Sequence, residues 1–181
     1  MHLANCLCSS LPTIDLPTRI VVIMHHREWP KPTSTARLFA LAYSNCEIRI
    51  RGEKEQPFDP DGVLQEDKQN LLLFPSEDAQ TLSSDLVAKD PRPVNLIVPD
   101  GSWRQANKMG QREPILRSLP RVVLPDMGPS RYQLRNEPQP GGLATFEAMA
   151  RAIRILENED AYSALQKLFE TMSERTLATR G

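Results

Sequence analysis

Apolar residues along this chain fall in short dense blocks set apart by polar, proline-bearing joints. RIVVIM at 19–24 is rich in β-branched residues and predicts a buried strand. PTSTARLFALAY at 32–43 opens on Ser and Thr capping candidates and continues with Ala and Leu at helical spacing, which predicts a helix. EIRI at 47–50 alternates as a half-buried strand, and the acidic, Pro- and Gly-broken 51–69 reads as a surface excursion. NLLLFP at 70–75 predicts a buried strand closed by proline. SEDAQTLSSDL at 76–86 predicts a helix with acids in its first turn, where they suit the helix dipole. VNLIV at 94–98 predicts another buried strand, with a turn and then a helix over 102–109. RVVLP at 121–125 predicts a strand, and 128–142 is irregular. ATFEAMARAIRILEN at 144–158 is the clearest helix, with Phe146, Met149, Ala150, Ile153 and Leu156 on one face. A second amphipathic helix follows at 161–178.

Strands alternate with helices over most of the chain, which argues for an α/β domain with a mostly parallel sheet and C-terminal helices. A short N-terminal segment, 1–18, precedes the main domain at 19–181. In such a sheet the loops at the carboxyl ends of the strands hold the site. Four stretches fall there: MHHREWPKPTSTAR, LFPSED, PDGSWRQANKM and LPDMGPSRYQLR. Length agrees with one domain, since 181 residues can bury a sizeable core. Proline, at 16 residues, is well above the usual ~5% and stands at the joints, so the connections are stiff rather than loose. No apolar run approaches the ~20 residues of a membrane span, and no basic segment leads into a long apolar one at the start. A cytoplasmic protein is the expectation.

The net charge of -1 hides a segregation. Residues 19–52 hold six Lys/Arg against two Asp/Glu, residues 53–90 three against ten, and residues 100–135 seven against three. A basic face for a polyanion is compatible with this, as is ordinary solvated charge. The odd, low cysteine count (Cys6, Cys8 and Cys46) argues against a disulfide framework. Cys6-x-Cys8 is half of a zinc site, which His2 and Cys46 would have to complete, or simply a pair of thiols. GxGxxG, GxxxxGK[ST] and GxSxG are all absent. His25, His26 and Glu28 suit a metal or acid–base role, or a structural one. Asp100 suits a helix cap or a general base. Trp103 suits core packing or a stacking wall. SRYQLR places two arginines fit for bidentate anion binding in an irregular segment.

Taken in order, the Cys6-Leu7-Cys8 stretch, HHREWPKPTSTARL, LLLFPSEDA, PDGSWRQANKM, LPRVVLP, SRYQLR and TFEA resemble the DTW-domain family, from about Cys6 to Glu157. Its eponymous Asp-x-(Thr/Ser)-Trp core is here Asp100-Gly101-Ser102-Trp103, with serine where threonine is common. The resemblance implies a SPOUT-like fold with a deep trefoil knot. It also implies a tRNA-uridine aminocarboxypropyltransferase: the 3-amino-3-carboxypropyl group of S-adenosylmethionine moves to N3 of a uridine, typically in the variable loop, and methylthioadenosine leaves. A SPOUT-type RNA methyltransferase and a non-catalytic RNA-binding module are the alternatives. Many members carry a second, earlier cysteine pair; it is absent from this sequence, so the family's zinc site is not expected to be complete. On the same resemblance Asp100 accepts or organises the uridine proton, and Ser102 orients it or contacts the cofactor. Leu73, Phe74, Pro75, Asp100, Trp103, Leu119, Ser130, Tyr132, Arg135 and Thr145 serve the adenosylmethionine, and Lys31, Thr35, Arg37, Arg104 and Lys108 the tRNA. No obligate protein partner is expected.

Overall fold

The computed structural model describes residues 6–53, 55–130 and 142–178. Strands β1 (Arg19–His25), β2 (Cys46–Arg51), β3 (Gln69–Leu73), β4 (Gln80–Thr81), β5 (Val94–Asp100) and β6 (Arg121–Val123) form one sheet among the described residues. Its order is β2-β1-β5-β3-β6-β4, and every pairing is parallel. Helices α1 (Thr35–Ala42), α2 (Ser84–Val87), α3 (Trp103–Arg112), α4 (Pro114–Arg117), α5 (Thr145–Leu156) and α6 (Glu159–Ala178) complete the described elements.

Helices cover both faces of the sheet, which is why the central strands are apolar without alternation. Ile20, Val22 and Met24 of β1 join Leu96 and Val98 of β5 in a core under α1, α5 and α6. Val21, Ile23 and Ile97 point the other way, into a smaller core with Ala106, Met109 and Leu116 of α3 and α4. Asp100 has the parity of Leu96 and Val98, so the pleat aims it at the α5 face. The first core is locked by rings: Phe146 stands edge-on to Phe39 at 5.3 Å and stacks on Phe169 at 4.8 Å. The N-terminal segment packs onto the same core, with Leu7 and Ile14 buried and Ile14 bridged to Tyr43.

Three expectations change. Residues 76–86 are not one helix. Leu82 is buried and its N–H donates to the Val123 carbonyl, which draws this stretch against β6 as β4 and leaves only the four residues of α2, capped by Ser83. Strand β5 runs past Val98 to Asp100, through Pro99. Proline has no N–H for a ladder. It is tolerated here because β3 stops pairing at Leu72–Ile97, so at Pro99 only β1 still flanks the strand. The short α4, opened by Pro114, was not expected at all. The knot expected from the resemblance is not traced, since residues 131–141, between β6 and α5, lie outside the described residues.

Candidate active site at the carboxyl edge of the sheet

Beyond Leu72–Ile97, β3 and β5 diverge, and the gap opens into a cavity of about 580 Å³. Its walls are the end of β3 and the chain after it (Leu73, Phe74, Pro75), the end of β5 and the residue after it (Val98, Pro99, Gly101), the start of α3 (Trp103, Ala106), the end of β6 and the loop after it (Val122 to Gly128) and the head of α5 (Thr145, Ala148, Arg151). This is the crevice outside the carboxyl ends of the strands where parallel α/β sheets bind ligands. Size and lining, mostly apolar with a few polar groups, are those of a small-molecule site.

Asp100 stands at the rim, 8% exposed. Its Oδ1 accepts a hydrogen bond of 2.5 Å from the Thr145 hydroxyl. Thr145 is the first residue of α5, so the partial positive charge of that helix N-terminus lies beside the carboxylate. Asp100 does not cap α3. That task falls to Ser102, whose Oγ accepts from the Gln105 N–H while the Gln105 side chain accepts from the Ser102 N–H, a reciprocal capping box. Gly101 between them is close-fitted: a Cβ there would meet the Gln105 side chain at 3.1 Å and His25 at 3.4 Å. Trp103 remains 40% exposed and tilts against Phe74, ring centroids 5.6 Å apart.

Of the residues expected to hold the cofactor, Leu73, Phe74, Pro75, Trp103 and Thr145 line the cavity, and Asp100 joins them through Thr145. Leu119 does not; it packs against the smaller core. Ser130 is not a lining residue either; its hydroxyl donates to Glu147 Oε2 at 2.6 Å. Tyr132 and Arg135 lie outside the described residues.

The sequence reading missed Glu147 and Arg151, one helical turn apart on α5 and both buried. Glu147 accepts from Ser130 and from the Ala144 N–H, on either side of residues 131–141. Arg151 donates to the carbonyls of Gly128 and Pro129, both at 2.8 Å. Gly128 has a positive φ of 83°, a turn that side chains disfavour, and its carbonyl is presented to the arginine. Two charged residues set beside an apolar helical stripe were the available signal. Changing Arg151 to Met should therefore loosen residues 126–130 selectively. Amide exchange there should rise roughly 10- to 100-fold, the scale of a hydrogen bond to a charged group. The amides of β1 should keep their protection. Unchanged exchange at 126–130 would show that the arginine does not hold the loop.

At the neighbouring strand end, the His25 and His26 rings lie tilted to each other with centroids 4.6 Å apart, and His25 Nδ1 accepts from the Arg27 N–H. Burial, helped by His26, Arg27 and Arg51, holds the His25 imidazole below its ordinary range, so it is neutral at pH 7. Glu28 is buried with its carboxylate 2.6 Å from Lys31 Nζ. Among the described residues no group of three or more His, Cys, Asp or Glu is placed to hold a metal. Cys6 and Cys8 lie Sγ to Sγ at 3.2 Å as free thiols, and Cys46 is half-buried, its pKa pushed up to about 12 by desolvation. No described helix is long and apolar enough to cross a membrane.

Of the residues expected to meet tRNA, Arg104 is exposed and Lys108 half-buried on one face of α3, with no ion pair among the described residues. Arg37 is exposed and Lys31 keeps its exposure beside Glu28. Thr35 is half-buried, its Oγ1 accepting from the Phe146 N–H at 3.4 Å. The acidic excursion returns at Gly62 and Val63, whose carbonyls are held by Arg19 at the opposite end of β1 from this edge.

A parallel α/β sheet with a cavity at its carboxyl edge and a buried acid at the rim defines a ligand-binding α/β domain. Compared with known families, residues 1–177 match the DTW domain, and the chain belongs to that family. It is 28% identical over 160 residues to tRNA-uridine aminocarboxypropyltransferase 2 of Macaca fascicularis, covering 86% of this chain and 54% of that protein. It is 30% identical over 160 residues to the protein of the same name in Drosophila melanogaster, covering 84% of this chain and 62% of that protein. The Mus musculus protein of that name is 28% identical over 160 residues, with 86% and 54% covered. The chain thus spans between about half and two thirds of the length of these relatives. No solved structure matches it significantly.

Proposed function

We propose that this chain is a tRNA-modifying transferase that moves the 3-amino-3-carboxypropyl group of S-adenosylmethionine onto N3 of a tRNA uridine in the variable loop. The observation that carries the reading is the buried Asp100 at the rim of an apolar-walled cavity, inside a domain whose relatives bear the name of that activity.

The residues fit such a ligand. A cavity of about 580 Å³ is of the size that encloses a drug-sized molecule. The tilted Phe74–Trp103 pair and Leu73 offer π and apolar surface to an adenine. The loop pinned by Arg151 forms the opposing wall. Tyr132 and Arg135 are assigned to the methionine end or the nucleotide. The sulfonium, when bound, makes the adjoining carbons electrophilic, and the one in line with the nucleophile reacts. Uridine N3 carries a weakly acidic proton and attacks only once that proton is leaving. Asp100 accepts it. The Thr145 hydroxyl fixes the carboxylate's orientation, and Ser102, by capping α3, sets where the Trp103 wall begins. Arg104 and Lys108 contact phosphates, which position the RNA without reading its sequence.

The test is incubation of the protein with an unmodified tRNA transcript and S-adenosylmethionine, followed by mass spectrometry of nucleosides and small products. Aminocarboxypropyl-uridine formed in step with methylthioadenosine is the expected result. Methyluridine with adenosylhomocysteine would make the protein a methyltransferase, and tRNA binding with no consumption of adenosylmethionine would make it a binding module.

A further inference from the structure

Trp29 is the most exposed aromatic residue described, with 47% of its surface open, and no role has been given to it. It sits in the turn after β1. Met24 pairs in register with Asp100, so that turn leaves the sheet at the same edge as the acid. The turn leads into α1, whose first residue, Thr35, accepts from the Phe146 N–H, next to the Thr145 that holds Asp100. Trp29 therefore lies at the carboxyl edge of the sheet that carries Asp100, outside the cavity lining.

Its ring is held rather than loose. Arg37 Nη1 donates to the Trp29 carbonyl at 3.0 Å, and the guanidinium carbon lies 4.9 Å from the ring centroid. Arg37 is anchored on α1 between the buried Ala36 and Phe39. Pro30 and Pro32 stiffen the backbone that follows. The arginine thus covers part of the ring and nearly half of it stays open. The exposed residues beside it are Arg27, Pro30, Lys31 and Pro32, two cations and two prolines with no large apolar side chain among them. A protein partner would want contiguous apolar surface around such a ring. A rigid π face ringed by cations suits an unpaired nucleobase on a polyanionic strand.

We propose that Trp29 is a stacking platform for an unpaired base of the bound tRNA, with Arg37 backing the ring. The proposal rests on tRNA being the substrate. Stacked bases are worth roughly a 5- to 100-fold change in affinity when the ring is removed. Phosphate contacts differ in kind, each adding about 0.7 to 0.9 to the slope of log affinity against log salt.

The experiment measures the affinity of the full chain for an unmodified tRNA transcript across a salt series, using wild type, Trp29→Ala, Trp29→Phe and the double variant Arg104→Ala, Lys108→Ala. Thermal unfolding midpoints establish that each variant is folded. The expected result is a roughly 5- to 100-fold loss in Trp29→Ala at unchanged salt slope, with most of it restored in Trp29→Phe. The double variant should instead flatten the slope. Wild-type binding with Trp29→Ala equal to it overturns the platform and leaves the tRNA reading standing. A flattened slope in Trp29→Ala overturns it too, because the loss would then be one of charge. A self-association seen by sedimentation and abolished in Trp29→Ala, with tRNA binding intact, would assign the ring to protein contact instead. Wild type that fails to bind tRNA at any salt removes the substrate reading and the platform together.

Discussion

Replacing Asp100 with Asn should lower turnover by roughly 100- to 10,000-fold, the range that a positioned general base supplies. Asn keeps an oxygen that can accept from the Thr145 hydroxyl, as Asp100 Oδ1 does at 2.5 Å. The substitution leaves the cap of α3 untouched, because Ser102 and Gln105 provide it. What it removes is the ability to take a proton. Binding of S-adenosylmethionine, measured by calorimetry without tRNA, should change only a few-fold, since Asp100 stands at the rim and not among the cavity walls. Turnover within a few-fold of wild type would rule out the base assignment.

The largest effect on stability is expected from Phe146→Ala. Phe146 is fully buried, edge-on to Phe39 at 5.3 Å and stacked on Phe169 at 4.8 Å, so it ties α1, α5 and α6 together. Truncating such a ring costs about 3–5 kcal/mol in lost transfer energy and residual cavity. For a domain of this size that corresponds to a fall of roughly 6 to 20 °C in Tm. Urea unfolding gives the same quantity at fixed temperature. A loss below about 1 kcal/mol would mean that the three helices repack around the gap. Because the ring seats the first turn of α5, whose Thr145 holds Asp100, activity should fall before the protein melts.

The strands were legible because burial on both faces writes them as apolar runs: Ile20 to Met24 for β1, Leu96 to Val98 for β5. The α5 stripe was legible for the complementary reason, a single apolar face at helical period. Residues 76–86 misled because their polar pattern is helix-like, while Leu82 is claimed by a sheet edge that local sequence does not reveal. Position alone could not divide the cap from the acid between Asp100 and Ser102; the geometry of Gln105 does. Leu119 follows the last turn of α4 into the smaller core, an outcome set by a helix that was not anticipated. The Glu147 and Arg151 anchors depend on which loop lies over α5, information that is tertiary from the start.

The strand order also dictates how the chain assembles. β5 lies between β1 and β3, so those two strands never touch. Until residues 94–100 dock, β2-β1 and the strands beginning with β3 are separate fragments, and β1 and β3 each expose an open edge. Non-local pairing of this kind is slow, and it leaves apolar strands uncovered while it waits. On a growing polypeptide the first 93 residues therefore cannot form the continuous sheet. The insertion that ends this exposure is made by the strand whose last residue is Asp100. Joining of the two halves of the sheet and arrival of Asp100 at its carboxyl edge are then one event, and the remaining cavity walls, from β6 and α5, are added onto a sheet that is already continuous there.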